Sequence, residues 1–258
     1  MSNLLFGIDV GGSGIKGAIV DADIGDLTTD RYRIKTPQPA TPDAVATTIG
    51  EIVKHFEWEG PIGAAIPSVV RRGIVSTAAN IDKGWIGTDA DHLLEEVTGS
   101  PVRVLNDADA AGIAEMIYGV GAGEEGVVIL LTFGTGIGSA LFHDGILVPN
   151  TELGHLEFNG MVAEHYAAAR LVERDEMELA PWAIRVGEYL HHLERILTPD
   201  LFIFGGGISK RFDEFSHHFE LTTPVKVAEL RNNAGIVGAA LASRGLTPAE
   251  RSTDEEHV

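Results

Sequence analysis

The stretch Asp9-Val10-Gly11-Gly12-Ser13-Gly14-Ile15-Lys16-Gly17-Ala18 decides how the rest of the chain is read. It closes an apolar run, Leu4 to Val10, that reads as a buried strand. It leads into Ile15 to Val20, a second run of strand formers ended by the polar turn Asp21 to Gly25. Gly12 to Gly17 formally satisfies G-x-G-x-x-G, but that dinucleotide fingerprint needs a helix starting at the turn so that its first N–H groups meet a pyrophosphate. The strand formers after Gly14 speak against a helix. The lysine-bearing phosphate loop of nucleotide hydrolases fails too, because Lys16 is followed by Gly17 instead of Ser or Thr. Two readings of the turn remain: a plain hairpin, or a glycine loop whose backbone N–H groups face an anion, with the Ser13 hydroxyl as a further donor.

A second copy bears on that choice. Gly12, Gly14, Ile15 and Ala18 recur 122 positions later as Gly134, Gly136, Ile137 and Ala140, with Thr135 in place of Ser13. Both copies follow an apolar strand, Val127 to Leu131 in the second, and both open a half of the chain. The expected fold is α/β, two similar domains facing each other across a cleft, over residues 1–107 and 108–233. A small-residue helix at about 234–246 is expected to pack back on the first domain, and 247–258 reads as a polar tail. Paired phosphate loops from opposite domains suit phosphoryl transfer. Asp9 ends the first strand beside its loop, where a carboxylate repels phosphate unless a divalent cation stands between them. Mg2+, held largely by water and phosphate oxygens, is the expected cation; a turn aspartate bonded to backbone is the alternative.

Other elements are legible from caps and periodicity. Thr41 and Pro42 start a helix whose apolar face includes Val45, Ile49, Ile52 and Val53. Gly73 to Thr77 is strand-like, and Thr88 with Asp91 reads as the capping box of a helix that Gly99 stops. Val102 to Leu105 is a short buried strand ending in Asn106-Asp107-Ala108-Asp109, before an alanine-rich helix to Tyr118. Later helices are expected over Val162 to Arg174 and Pro181 to Leu197, and a third glycine turn, Gly205-Gly206-Gly207, follows the strand Leu201 to Phe204.

Composition narrows the class. With 258 residues, 44% of them hydrophobic, the chain can bury two cores. The net charge of -19 argues against nucleic acid and anionic membranes as partners. A polyanionic substrate would need local cations against that field; Arg71 with Arg72, Lys83, Lys210 with Arg211, and Arg231 are the candidates. No run of about 18 apolar residues and no signal-peptide pattern at the start make a cytoplasmic location the expectation. The absence of cysteine excludes a disulfide framework and thiolate metal sites.

These motifs together resemble the ROK family of sugar kinases and repressors, within the actin-like ATPase (ribonuclease H-like) fold, and within it the polyphosphate glucokinase branch. Asp9 to Ala18 is similar to the family's first phosphate motif and Leu131-Thr132-Phe133-Gly134-Thr135-Gly136-Ile137-Gly138 to its second. Ala79-Asn80-Ile81-Asp82-Lys83-Gly84-Trp85 resembles the sugar-side loop, Asn106 to Asp109 the catalytic motif, Glu152-Leu153-Gly154-His155 the sugar motif, and Phe204 to Ser209 the donor-side loop. The likeness spans residues 4 to about 245. It implies Asp107 as general base, with Asp109 in a capping or structural role. Asn80, Asn106, Asp107, Glu152, His155 and Glu164 are then the glucose ligands, with Glu157 ordering the same loop. Gly11, Gly12, Ser13, Gly14, Lys16, Thr135, Gly136, Gly206 and Gly207 bind the phosphate donor, polyphosphate or ATP. A homodimer is the family expectation. The repressors carry a DNA-binding segment ahead of the first phosphate strand, so the kinase side of the family is expected here. Most family kinases also carry a cysteine zinc site after the Gly-His pair, which Leu156 to His165 lacks, so no zinc is expected.

Overall fold

The alternation over Leu4 to Val20 forms an antiparallel hairpin, β1 (Leu4–Val10) and β2 (Ile15–Asp21), with Val10 opposite Ile15 across the glycine turn. The structure is a computed structural model and describes residues 3–79 and 81–246, so the tail 247–258 lies outside the described residues. Two short strands, β3 (Asp26–Leu27) and β4 (Tyr32–Ile34), pair with the far edge of β2. Helix α1 (Pro42–His55) follows, capped by the Thr41 hydroxyl, which accepts from the Ala44 N–H. Next come β5 (Ile62–Ile66), the small hairpin β6 (Val70–Arg71) and β7 (Ile74–Val75), α2 (Ala90–Thr98), β8 (Val102–Asn106) and α3 (Asp107–Tyr118). The sheet order is β3-β2-β1-β5-β8, with β1, β5 and β8 mutually parallel.

The second hairpin, β9 (Val127–Phe133) and β10 (Ile137–His143), repeats the first with a shorter turn. It continues through β11 (Ile146–Val148), the hairpin β12 (Glu157–Phe158) and β13 (Met161–Val162), α4 (Ala163–Ala167), α5 (Arg170–Glu173) and α6 (Leu179–Leu197). Then come β14 (Leu201–Gly205), α7 (Phe212–Phe215), β15 (Val225–Val227) and α8 (Ala234–Ala242). This sheet runs β11-β10-β9-β14-β15, the same succession of two antiparallel and two parallel pairings as the first. Two compact units result: described residues to Ala114 with those from Asn233 onward, and Glu115–Asn232. Among the described residues no helix is long and apolar enough to cross a membrane.

Two local expectations are corrected. The cap of α2 is Asp89, which accepts from the His92 N–H at 3.0 Å, while the Thr88 hydroxyl donates to the Gly84 carbonyl. Asp91 instead accepts from the buried Val104 N–H at 2.7 Å, so a strand donor claims the carboxylate that the capping box would have used. The helix expected over Val162 to Arg174 is broken at Ala168, which is extended. The break frees the Ala168 carbonyl for the Trp182 indole and turns the Arg170 N–H onto the Gly134 carbonyl at 3.0 Å.

Each sheet buries a face against helices. Phe6, Ile8 and Val10 of β1 pack with Val45, Ile49 and Ile52 of α1 and Leu94 of α2. On the opposite face α8 lies directly on β1 and β5, its Ile236 and Ala239 carbonyls over Gly7 and Gly63. In the second unit Phe133 and Phe204 stack with centroids 4.5 Å apart, beside buried Trp182 and Phe215. A Cβ at Gly63 would overlap helix backbone, which has no rotamer to yield. Gly63→Ala should therefore destabilise the first unit by about 3 kcal/mol or more, read as a lowered urea midpoint; an unchanged midpoint would contradict this contact.

Candidate functional site

In the first unit the site grows from the glycine turn. Asp9 and Lys16 are opposed on β1 and β2, and the Lys16 Nζ lies 3.3 Å from the Asp9 Oδ2, both half-buried. The turn closes on itself through the Gly11 N–H and the Gly14 carbonyl at 3.1 Å. Two further carbonyls are taken from outside: Thr36 Oγ1 donates to Gly11, and the Arg33 guanidinium donates to Ser13 while lying across Gly14. Ser13 is exposed at the tip, and a Cβ at Gly12 would meet no heavy atom within 4 Å.

That open side belongs to a cavity of about 400 Å³ lined by Gly11, Gly12 and Thr36 together with Ala79, Ile81 and Asp82. The turn and the loop of Ala79, Ile81 and Asp82, expected on the sugar side, thus share one cavity. The loop is fixed from below by Trp85, which is fully buried and donates its indole N–H to the Ala40 carbonyl at 3.0 Å. Asp82 caps the short turn Lys83–Trp85 by accepting from the Gly84 N–H. Asn80 lies outside the described residues.

At the tip of β8, Asn106 is the cap of α3, accepting from the N–H groups of Ala108 and Asp109 at 2.8 and 3.1 Å. It also donates to the Ser68 carbonyl at 3.2 Å. Its amide oxygen is thereby satisfied, and what it retains for a ligand is its second amide hydrogen. Asn106 thus caps α3, and Asp109, expected in a capping or structural role, is buried at 2% exposure in the first turn of that helix. Asp107 follows at the first position of α3, half-buried, with its Oδ1 accepting from the Ala108 N–H at 2.8 Å.

In the second unit the turn is closed by the Gly134 N–H on the Gly136 carbonyl at 3.0 Å, with Thr135 exposed at its tip. Gly206, at φ 91°, presses against the Phe133 backbone, and a Cβ at Gly207 would meet nothing within 4 Å. The structure therefore brings the Gly205-Gly206-Gly207 loop against the strand that enters this turn. Glu152, His155 and Glu164 also come together. His155 Nδ1 is 3.1 Å from Glu152 and its Nε2 is 3.9 Å from Glu164, whose carboxylate lies over Gly136. Burial pushes the Glu152 carboxyl above the usual value of 4.5, His155 pulls it partly back, and Glu164 adds to the rise.

Three supporting side chains escaped sequence reasoning. Ser139 Oγ donates to the Thr151 carbonyl and accepts from the Leu153 N–H at 2.9 Å, pinning the segment that carries Glu152. Arg33 and Thr36 act on the first turn from 20 and 25 residues away, a reach no local pattern displays. Of the cations expected to face a polyanion, Arg211 forms an exposed ion pair with Glu214 at 2.8 Å. Among the described residues no group of three or more His, Asp or Glu side chains is placed to hold a metal. A single carboxylate at Asp9, beside an open turn, fits a Mg2+ that keeps most of its own waters.

The model of the ROK family matches residues 5–169. The chain is 56% identical over 239 residues to the polyphosphate glucokinase of Mycobacterium tuberculosis strain CDC 1551 / Oshkosh, covering 92% of this chain and 90% of that one. It is similar to the crystal structure of the inorganic polyphosphate/ATP-glucomannokinase from Arthrobacter sp. strain KM, at 49% identity and TM-score 0.88, covering 92% and 97%. It shares its fold with a ROK family glucokinase from Streptomyces griseus solved with glucose and AMPPNP, at 24% identity and TM-score 0.79, covering 94% and 99%. With the family model covering well over half of its length, this chain belongs to the ROK family.

Proposed function

We propose that this protein transfers the terminal phosphoryl group of inorganic polyphosphate to the 6-hydroxyl of glucose. The observation that carries the reading is the 56% identity to a polyphosphate glucokinase across nine-tenths of both chains. The open glycine turn sharing a cavity with the sugar-side loop agrees with it. A second reading, in which ATP also serves as donor, is favoured by the 49% identity to a polyphosphate/ATP-glucomannokinase.

Asp107 takes the proton of the 6-hydroxyl as that oxygen attacks the terminal phosphorus. The bond to the rest of the chain breaks in line, and polyphosphate leaves one unit shorter. Backbone N–H groups of the glycine turns, with Ser13 and Thr135, hold the donor oxygens, and Lys16 adds charge beside them. Glu152, His155 and Glu164 pair with sugar hydroxyls, which both donate and accept; Asn106 contributes its free amide hydrogen and Asn80 completes the set. Mg2+ supplies neutralisation of phosphate charge when bound, and Asp9 would hold it through water.

Glucose 6-phosphate formation, followed by a coupled dehydrogenase with polyphosphate and ATP in parallel, tests the reading. Turnover with polyphosphate is expected, and turnover with ATP alone would reassign the donor. Asp107→Asn should lower kcat on the order of 10²- to 10⁴-fold while glucose binding, measured by calorimetry, stays near that of the parent. Retention of most turnover would remove Asp107 from the role of base.

Glu152 gives a pH test. Its folded pKa lies above the unfolded one, so its contribution to stability is fullest below about pH 4.5 and is lost as pH rises through the folded value. Glu152→Gln should then melt no lower than the parent at pH 7, yet bind glucose about tenfold more weakly. A variant that melts lower at pH 7 but matches the parent at pH 4.5 would reverse the assigned sign.

A further inference from the structure

The first glycine turn is held by groups that the phosphoryl-transfer reading leaves unused. Thr36, 4% exposed, spends its hydroxyl on the Gly11 carbonyl at 2.5 Å. Arg33 spends one terminal nitrogen of its guanidinium on the Ser13 carbonyl at 2.5 Å. A turn that only reverses the chain at a surface has no need of either, because water satisfies its carbonyls. In a trans peptide the C=O of one residue and the N–H of the next point in opposite directions. The Gly12 N–H therefore points away from Thr36, and the Gly14 N–H away from the Arg33 guanidinium that covers that residue. The Gly11 N–H is already spent inside the turn.

The second turn is tied in the same sense by a different means. Its Gly134 carbonyl accepts from the Arg170 backbone N–H at 3.0 Å, across the break between α4 and α5, which turns the Thr135 N–H the other way. Two unrelated segments thus perform one operation on two glycine turns. Charge on the first adds to the case. Arg33 stands directly opposite Lys16 on neighbouring strands, and like charges so placed repel. Asp9 neutralises Lys16, leaving one surplus positive charge at the turn in a chain of net charge -19.

We propose that Arg33 and Thr36 are positioning residues that lock the first glycine turn with its N–H groups outward, ready for the phosphate chain of the donor. The inference rests on the reading of this turn as a donor cradle. Thr36 acts through geometry alone, and Arg33 adds charge that a polyanion feels and a sugar does not.

The test is calorimetric titration of tripolyphosphate, with Mg2+ and without glucose, into the parent, Thr36→Val, Thr36→Ser and Arg33→Gln, beside steady-state kinetics with glucose. Thr36→Val should weaken tripolyphosphate about tenfold and raise the donor KM alike. The kcat at saturating donor and the glucose KM should stay within about twofold, and Thr36→Ser should restore binding. Arg33→Gln should weaken binding with a shallower salt dependence. Should Thr36→Val fail to fold, Arg33→Gln, altered at an exposed side chain, carries the same decision. Unchanged tripolyphosphate affinity in the folded variants, or equal losses for donor and sugar, would overturn the proposal. A parent that binds tripolyphosphate but phosphorylates no glucose would instead fault the reading on which it rests.

Discussion

A backbone turn holds an anion only when its carbonyl oxygens are turned away from it, and under the proposed function that constraint applies to the glycine turn of each unit. Each glycine turn is short, closes on one internal hydrogen bond, and has a further carbonyl anchored from outside, by Thr36 and Arg33 in the first and by the Arg170 N–H in the second. Glycine matters here for access: at Gly12 nothing stands within 4 Å of where a side chain would begin, so an oxygen can approach the backbone closely. The strands feeding the turns are buried and paired on both edges, which gives the tips a rigid base.

Electrostatics work the same way at larger scale. A chain of net charge -19 repels a polyanion at distance, so a phosphate donor must be held by local donors and cations. Arg33 supplies the surplus charge at the first turn, beside the Lys16–Asp9 pair, and oriented N–H groups supply partial charge without a further basic residue. The side proposed to hold the sugar is built from opposite chemistry. Glu152 and Glu164 flank His155, and under the proposed function the burial that raises Glu152 is the cost of placing a strong acceptor among sugar hydroxyls.

The two hairpins, the Thr41 cap and the glycine turns were legible because each depends on residues close in sequence. Asn106 shows the limit: local reasoning found the strand end and the helix after it, but which side chain caps the helix depends on how β8 meets α3. The break at Ala168 was invisible for a similar reason. Its alanines favour helix, and the partners that make an interruption worthwhile, Trp182 and Gly134, lie 14 and 34 residues away. Thr88 misled because Asp91 is claimed by Val104, a contact set by tertiary packing. Arg33 and Thr36 were missed because strand register, which puts them over the first turn, is not written in either segment alone.

The most direct test is to watch the amide protons. In ¹H–¹⁵N spectra of the labelled protein titrated with tripolyphosphate and Mg2+, the Gly12, Gly14 and Thr135 amides should show the largest downfield proton shifts, as expected of N–H groups that begin to donate to phosphate oxygens. Shifts confined to lysine- and arginine-bearing surfaces, with these three amides unmoved, would mean that the glycine turns merely reverse the chain.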